Sequence, residues 1–321
     1  MVQKKIMSIK QAWIQFIETL QNDICAALEQ ADGKAKFIED AWQRSEGGGG
    51  KTRVITNGDV FEKGGVNTSV VYGELTDAMR SQLKIPPSVG GGAWFACGLS
   101  LVIHPYNPFV PTVHCNYRMF ELYTNENSSS QIPPSGGGGA WFGGGTDLTP
   151  YYLFDEDAQH FHQIYKDACD AFDPAFYPKF KKECDNYFVN THRNNERRGI
   201  GGIFYDYQKP TEEKDANFWI NFARTCGYAF IDSYIPIVEK RKQTPFTSQQ
   251  KHWQEIRRGR YTEFNLVHDR GTIFGLKTNG RIESILMSLP PTVRFEYNYQ
   301  PQPGSEEDKL LQVCLQPKNW V

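Results

Sequence analysis

The side chains best suited to chemistry are concentrated between Ser100 and Arg118. This stretch holds a hydroxyl, two imidazoles, an amide and a guanidinium, on Ser100, His104, His114, Asn116 and Arg118. Such groups are costly to bury on one face unless a ligand or mutual hydrogen bonds satisfy them. They therefore indicate a functional site, and the alternative is a solvated face of an antiparallel sheet.

Both ends of this stretch have the composition of β-strands, being β-branched or aromatic and bounded by Gly and Pro. Alternate residues of a strand point to the same face. Ser100 and His104 then share a face of the first strand, whereas His114, Asn116 and Arg118 share a face of the second. The Pro/Asn-rich connection favours an antiparallel pair, so we expect these five side chains to converge on one patch.

A carboxylate, Asp147, follows the glycine-rich run WFGGGT at 141–146. Glycines let the backbone approach a bulky ligand closely, so we expect a glycine turn that presents Asp147 to that ligand. An apolar pocket would raise the pKa of this carboxyl toward a range useful for acid–base chemistry. The alternative is an Asp that caps a helix or stabilises a turn, the commoner role of such a residue.

Basic residues near the C-terminus are further candidates. The run RRGR at 257–260 and Arg281, just past an Asn-Gly dipeptide, carry guanidiniums that can bind carboxylates with paired hydrogen bonds. The alternative for such a charge run is a solvated face, which is more common.

Helices and strands occur in blocks along the chain. Periodicity predicts one or two N-terminal helices over about 7–45 and later helices over about 155–173, 175–193, 215–242 and 247–258. Strands are predicted within 51–122, at 199–207 and at 261–268, and Asn279-Gly280 predicts a hairpin that joins 272–277 to 281–288. A polar segment, 124–139, is predicted to be a mobile loop. These blocks predict a single α+β domain, 1–321, with a mainly antiparallel sheet covered by helices.

Composition excludes several classes of protein. A net charge of −2 gives no reason to expect nucleic acid as a partner, and the apolar runs are too short to span a bilayer. The seven scattered cysteines form no CxxC pair, which favours a reducing compartment, the cytosol. The segment 46–52 resembles a phosphate-binding P-loop, but its first glycine is replaced by Ser45 and a helix precedes it, so we expect no nucleotide there.

Long blocks of the sequence resemble one family, the oxygen-dependent coproporphyrinogen III oxidases of haem biosynthesis. The matching stretches include GGVNTSVVYGEL, GLSLVIHPYNPFVPTVHCNYRMFE, WFGGGTDLTPYYLFDEDAQHFH, HRNNERRGIGGIFYDY and RRGRYTEFNLVHDRGTIFGLKTNGRIESILMSLPP, and the resemblance covers most of residues 41–321. It implies a homodimer built on a large flat sheet with helices on both faces. It also implies oxidative decarboxylation of two propionates of coproporphyrinogen III to vinyl groups, giving protoporphyrinogen IX, CO2 and reduced oxygen. The aromatic fraction of 14% suits a flat macrocycle.

The resemblance also implies roles for single residues. His114 resembles the family's proposed proton donor or acceptor, and Asp147 its key acid, proposed to hold or deprotonate pyrrole N–H groups. Arg118 would hold the reacting propionate or balance charge during the reaction. The residues that resemble substrate contacts are Ser100, Asn116, Tyr117, Arg118, Asn279, Gly280 and Arg281.

Cofactor use is less constrained by the sequence. An electron-rich pyrrole can react directly with O2, so no cofactor is strictly required, although a divalent metal is possible. The histidines that match possible ligands in some bacterial relatives are His104, His114, His162 and His192. His162 borders the apolar stripe of its helix and is otherwise interpreted as a partly buried structural histidine. A second hypothesis for the whole chain is a porphyrin-binding module without catalysis.

Overall fold

A seven-stranded antiparallel sheet organises the computed structural model, which describes residues 8–83, 92–123, 139–277 and 280–321. The strands are β1 (Ile38–Gln43), β2 (Gly48–Thr56), β3 (Phe61–Glu74), β4 (Ala93–Pro105), β5 (Thr112–Tyr123), β6 (Trp141–Thr149), β7 (Val189–Asn190), β8 (Glu196–Arg197) and β9 (Gly201–Gln208). The sheet order is β1-β2-β3-β4-β5-β6-β9, while β7 and β8 form a separate ribbon. The sheet therefore runs as a meander of neighbouring strands that β9 extends beside β6.

Helices cover both faces of this sheet. They are α1 (Ile9–Asp32), α2 (Asp77–Leu83), α3 (Asp155–Asp170), α4 (Phe176–Tyr187), α5 (Ala216–Arg241), α6 (Ser248–Val267), α7 (Arg270–Lys277), α8 (Ile282–Leu286) and α9 (Glu306–Leu315). The predicted α+β class, with an antiparallel sheet between helices, is confirmed. Among the described residues, no helix is both long and apolar enough to cross a membrane.

The main hydrophobic core lies between one face of the sheet and helices α1, α3 and α5. Helix α1 begins with a capping box between Ser8 and Gln11 and ends at Gly33, whose φ is 80°. Its buried stripe has the predicted helical spacing and comprises Trp13, Phe16, Ile17, Leu20, Ile24 and Leu28. This stripe anchors α1 on strands β3 and β4.

The opposite face of the sheet is covered by α6, α7 and α8. The Ser284 hydroxyl hydrogen-bonds the hydroxyl of Thr52 at 2.6 Å, and its carbonyl accepts from Asn67 Nδ2 at 3.0 Å. The Ser288 carbonyl lies 2.8 Å from Nε2 of His104. These contacts fix the C-terminal helices over β2, β3 and β4 and leave the site between them and the sheet.

The expected extent of the N-terminal helices was wrong. The predicted N-terminal helices over 7–45 end at Asp32, and β1 follows as an edge strand. The glycine run at 47–50 leads into β2, where Gly48–Gly50 pair with β3, so it forms no P-loop. The loop predicted at 124–139 lies outside the described residues up to 138.

The largest correction concerns the described residues of 261–288, which form helices α6, α7 and α8 rather than the strands of hairpins. Helix α6 continues through Gly259 to Val267. The glycine at this position permits a close contact, because a Cβ there would lie 2.5 Å from the Arg294 carbonyl oxygen. The Gly280 N–H donates to the Gly275 carbonyl at 2.8 Å, the six-to-one bond found at helix C-termini. Gly280 is therefore associated here with the end of α7 rather than with a hairpin turn.

Candidate active site

Strand pairing brings the predicted polar residues together on the face beneath α6 to α8. Ser100 pairs with Asn116, Gly98 with Arg118, and His114 with Asp147 across β4, β5 and β6. Directly paired residues of antiparallel strands point to the same face. The predicted common face of Ser100, His104, His114, Asn116 and Arg118 is therefore confirmed, with Asp147 added beside His114, but His104 is buried and hydrogen-bonded to Thr112 and Ser288.

Asp147 lies inside a strand, which corrects the expected glycine turn. It is the seventh residue of β6 and pairs with His114 on one side and Gly202 on the other. The preceding glycines permit close packing: a Cβ at Gly145 would lie 2.3 Å from the Ile203 carbonyl oxygen. Their function is thus to bring β9 close to β6 and fix the position of the carboxylate.

The Asp147 carboxylate is bound by two cationic or potentially cationic side chains. Arg198 Nη2 donates to Oδ1 at 2.9 Å and to Oδ2 at 3.0 Å, and His114 Nδ1 lies 2.7 Å from Oδ1. Burial raises the pKa of Asp147, but the Arg198 charge and the His114 hydrogen bond outweigh it, so that its pKa is lowered. The expected increase in this pKa was wrong, and Asp147 is ionised at neutral pH.

Arg198 was missed by the sequence analysis. Its side chain is buried, donates to Asn265 Oδ1 at 2.8 Å and packs against the rings of Phe188 and Tyr261, whose centroids lie 4.0 and 4.7 Å from its guanidinium carbon. Two aromatic faces stabilise a buried guanidinium without competing for its hydrogen bonds. In the sequence, Arg198 is marked only as one arginine of the run HRNNERRG. Its spacing from Asp147 along the chain does not predict that the two side chains meet.

His114 is the member of this group that faces the site. Because the ionised Asp147 accepts the Nδ1–H, the neutral ring carries a lone pair on Nε2. The side chain is 19% exposed, and its ring packs edge-on against Phe188 at 5.7 Å. Nε2 has no hydrogen-bond partner among the described residues, so it can exchange a proton with a ligand.

Arg118 is held beside this acid–base pair. Its Nη1 donates to Asn116 Oδ1 at 2.7 Å, and its Nη2 lies 3.0 Å from Asp206 Oδ1. The guanidinium carbon is also 5.8 Å from the ring centroids of Trp141 and Phe204. These contacts fix a half-buried cation where a ligand carboxylate can reach it.

An aromatic surface borders Arg118 on the same face of the sheet. Phe120 stacks on Trp94 at 6.3 Å with an interplanar angle of 8°, and on Trp141 at 5.4 Å and 24°, while Tyr207 lies 4.9 Å from Trp141. Nearer to His114, the paired positions of neighbouring strands carry Ser, Asn or Gly instead of aromatic residues. A buried aromatic cluster thus lies beside the cation and the acid–base group on the same face of the sheet.

Other predicted substrate contacts lie elsewhere. Tyr117 is fully buried on the opposite face, where its hydroxyl bonds Thr146 at 3.1 Å. Arg281 forms an ion pair with Asp40 and precedes α8, following Gly280. β1 and β5 are four strand spacings apart, roughly 19 Å, so Arg281 and Arg118 can bind one ligand only at opposite ends. Asn279 lies outside the described residues.

The three arginines at 257–260 are buried, so they form no solvated face. Arg257 forms an ion pair with Glu196, and Arg258 donates to Glu62 Oε2 at 2.8 Å and to the Pro105 carbonyl at 2.9 Å. Arg260 lies 3.6 Å from Glu263. The ion pairs compensate the charges, and Arg257 and Arg258 hold α6 against the body of the protein, whereas the Arg260 pair lies within α6.

The four histidines considered as metal ligands do not come together. His104 bonds Thr112 and Ser288, His162 bonds Tyr177 and Ile200, and His192 bonds His268 and Glu263. Across the described ranges, His, Cys, Asp and Glu side chains form no group of three able to hold a metal. The donors therefore do not fit one shared metal ion.

The burial of His162 leads us to expect that the stability of the protein depends on pH. Burial, and secondarily the Lys181 charge, lower its pKa from 6.5 to about 3. Below pH 6.5 the unfolded chain gains a proton that the folded chain gains only near pH 3. His162 therefore contributes a loss of stability of about 1.4 kcal/mol for each unit by which the pH falls within this window. His162→Gln should make the plot of unfolding free energy against pH less steep between 6 and 4, while the buried His104, whose pKa is also lowered, keeps its own contribution. Parallel plots for the two proteins would contradict this.

Comparison with known proteins shows the family to which the chain belongs. The family model described as coproporphyrinogen III oxidase matches residues 12–320. Oxygen-dependent coproporphyrinogen-III oxidase, chloroplastic, of Glycine max is 52% identical over 317 residues, covering 98% of this chain and 80% of that protein. Oxygen-dependent coproporphyrinogen-III oxidase of Prochlorococcus marinus (strain NATL1A) is 48% identical over 325 residues, covering 94% and 88%. This chain, whose sheet carries the acid–base pair and Arg118, belongs to the coproporphyrinogen III oxidase family.

Proposed function

We propose that the protein is an oxygen-dependent coproporphyrinogen III oxidase of haem biosynthesis. Two propionates of the substrate become vinyl groups, giving protoporphyrinogen IX. For each, a propionate, O2 and one proton give a vinyl group, CO2 and hydrogen peroxide. The observation that supports this function best is the His114–Asp147 pair beside Arg118 in a chain about half identical to oxidases of that name.

In the proposed reaction each site residue has its own role. Arg118 binds the carboxylate of the reacting propionate, since a guanidinium suits that group. His114 Nε2 accepts a pyrrole N–H proton, making the ring electron-rich enough to react with O2. Asp147 is sealed from the ligand, being 1% exposed, and acts by holding the His114 tautomer and stabilising its protonated form. Ser100 and Asn116 contribute hydrogen bonds to the ligand from the same face.

In this proposal O2 is the co-substrate and the protein supplies no resident redox group. The two electrons and the proton lost at the propionate pass to O2 while the C–C bond to the carboxylate breaks. The chelator assay described next distinguishes this reaction from one that requires a divalent metal.

The test is turnover by pure protein. Protein treated with chelator should consume O2 and convert fresh coproporphyrinogen III to protoporphyrinogen IX, which can be quantified by chromatography after oxidation. Activity that is lost in chelator and restored by one metal would contradict the cofactor proposal alone. Tight binding of the substrate without O2 uptake would favour the alternative, a porphyrin-binding module.

We propose that the active form is a homodimer with 261–296 at its interface. Large apolar side chains are exposed in this segment, namely Leu266, Val267, Leu276, Ile282 and Phe295. Clustered apolar exposure is typical of surfaces that bind another protein. Light scattering coupled to size exclusion should give twice 36.7 kDa, and the single mass would contradict the dimer.

A cytosolic location is proposed on the basis of cysteine chemistry. All seven cysteines are free and buried, as expected of a protein in a reducing compartment. Relatives from Glycine max and Arabidopsis thaliana are named as chloroplastic. Cell fractionation is therefore the test, and an organellar pool would contradict the proposal.

A further inference from the structure

A carboxylate on the last strand of the sheet connects two arginines at the rim of the site. Asp206 lies on β9 and is mostly buried. Its Oδ1 is 3.0 Å from Arg118 Nη2 on β5, and its Oδ2 accepts from Arg270 Nη2 on α7 at 3.3 Å. The two guanidiniums therefore come from opposite walls of the site and meet at one carboxylate.

Aromatic stacking fixes the same two guanidiniums. Arg270 lies 4.7 Å from the Tyr187 ring centroid, and its backbone N–H donates to the Tyr187 hydroxyl at 3.1 Å. Tyr187 stacks on Phe204 at 4.3 Å and 10°, while Arg118 approaches the Phe204 ring at 5.8 Å. Each guanidinium thus contacts one ring of the stacked Tyr187–Phe204 pair, and both pair with Asp206.

Gly143 makes room for this arrangement. A Cβ at this position would lie 2.9 Å from Asp206 Oδ1 and 3.1 Å from Arg118 Nε. Any side chain there would displace the ion pair. Besides permitting the close approach of β9, the glycine run therefore admits Asp206 beside Arg118.

Among the described residues, Asp206 is the one carboxylate that forms an ion pair with these two arginines. Two guanidiniums and one carboxylate carry a net charge of +1, and the Arg270 side chain is 54% exposed. Both guanidiniums lie within 3.3 Å of the Asp206 carboxylate, and without that negative charge the two like charges would repel each other. With it, they remain close together and can accept a further carboxylate.

We propose that Asp206 is a positioning residue that holds Arg118 and Arg270 as a two-arginine clamp for one substrate carboxylate. The inference rests on the proposed function, since it requires a substrate with propionates. Asp206 acts through the arginines and does not itself contact the reacting atoms.

The first test is the steady-state kinetics of Asp206→Asn, which keeps the shape but removes the charge. KM for coproporphyrinogen III should rise about tenfold, as expected when charge-assisted hydrogen bonds to two guanidiniums are lost. The kcat should stay within about threefold, since His114 and Asp147 are unchanged. An unchanged KM in a folded variant would overturn the proposal, as would a loss confined to kcat.

A binding measurement separates this inference from the proposed reaction. Fluorescence titration would compare coproporphyrin III, which has four carboxylates, with its tetramethyl ester, which has the same ring and none. Asp206→Asn should weaken binding of the acid about tenfold and leave binding of the ester within twofold. Equal weakening of both would indicate damage to the ring site and overturn the clamp. The comparison remains decisive even if the wild-type protein shows no turnover.

Asp173→Asn is the matched control. Asp173 forms an ion pair with Lys214 at 2.6 Å after the end of α3, and none of its hydrogen bonds reaches a site residue. This variant should keep the wild-type KM and the wild-type affinity for both porphyrins. A tenfold change in Asp173→Asn as well would show that the effect is general surface charge, and would overturn the specific role of Asp206.

Discussion

Asp147→Asn is expected to lower kcat by about 10²–10⁴-fold, the range for loss of general acid–base catalysis. Arg198 donates to both oxygens of Asp147 and makes more contacts with Oδ2. The single oxygen of an asparagine will therefore turn toward Arg198 and place its NH2 group against His114. His114 must then accept at Nδ1 and carry its proton on Nε2, so no lone pair faces the pyrrole.

Asparagine is preferable to alanine for this experiment. Asp147→Ala would leave the buried Arg198 without its charge partner, at a cost of about 3–5 kcal/mol. Loss of activity in the alanine variant would then confound chemistry with unfolding. The measurement is kcat per folded molecule of Asp147→Asn, with folding checked by circular dichroism and thermal denaturation.

A matched carboxylate serves as the control. Asp157 is also buried and pairs with Arg241 at 2.7 Å, but no histidine contacts it. Asp157→Asn should lose stability and keep the wild-type kcat. If folded Asp147→Asn kept kcat within tenfold of wild type, the His114–Asp147 pair would not be the acid–base group.

The arrangement of the predicted polar patch followed from local rules. Strand alternation requires only two strands and one antiparallel connection, so the common face of Ser100, His114 and Arg118 is predictable from the order of the residues alone. The same alternation places Tyr117 on the opposite face, whereas the family resemblance grouped it with its neighbours as a substrate contact. In the folded protein Tyr117 is buried in the main core.

What the sequence could not show depends on long-range packing. Arg198 meets Asp147 only because β9 pairs with β6, a contact that no local pattern encodes. The error in the pKa of Asp147 has the same origin, since burial alone raises it, and the distant Arg198 guanidinium together with the His114 hydrogen bond reverses the shift. Likewise, RYTEF has β-strand composition, yet its burial against the rest of the protein extends α6 to Val267.

The contacts of Asp147 that the sequence did not predict change how the site is expected to act. The sequence suggested a carboxylate that contacts the substrate, whereas the structure has a carboxylate that is enclosed and acts through a histidine. The reaction assigned to the patch is unchanged, but its exposed groups are His114 and Arg118. The residues behind them, Asp147, Arg198 and Asp206, determine their protonation and position.

Arg198→Met is expected to lower the free energy of unfolding by about 3–5 kcal/mol. Methionine fills similar volume but leaves the buried Asp147 carboxylate without its cation. Because the Arg198 charge is the largest influence lowering the pKa of Asp147, that pKa should rise in the variant. The acidic limb of the kcat profile should therefore move to higher pH, measurable in the folded protein below its melting temperature.

The adjacent arginine provides the control. Arg197 donates to the backbone carbonyls of Leu315 at 2.8 Å and Asp185 at 3.2 Å, and it has no carboxylate partner among the described residues. Arg197→Met should lose less stability and keep the wild-type acidic limb. Equal losses in both variants would show that Arg198 acts only through packing.

A double variant separates stability from catalysis at this position. Asp147→Leu combined with Arg198→Met removes both buried charges, and replacing a buried ion pair by apolar side chains of similar volume is often neutral for stability. The double variant should therefore recover most of the stability lost in Arg198→Met, as measured by thermal denaturation. It should remain inactive, because His114 has no partner to fix its tautomer. Recovery of activity together with stability would contradict the role assigned to Asp147 and reduce the pair to a packing element.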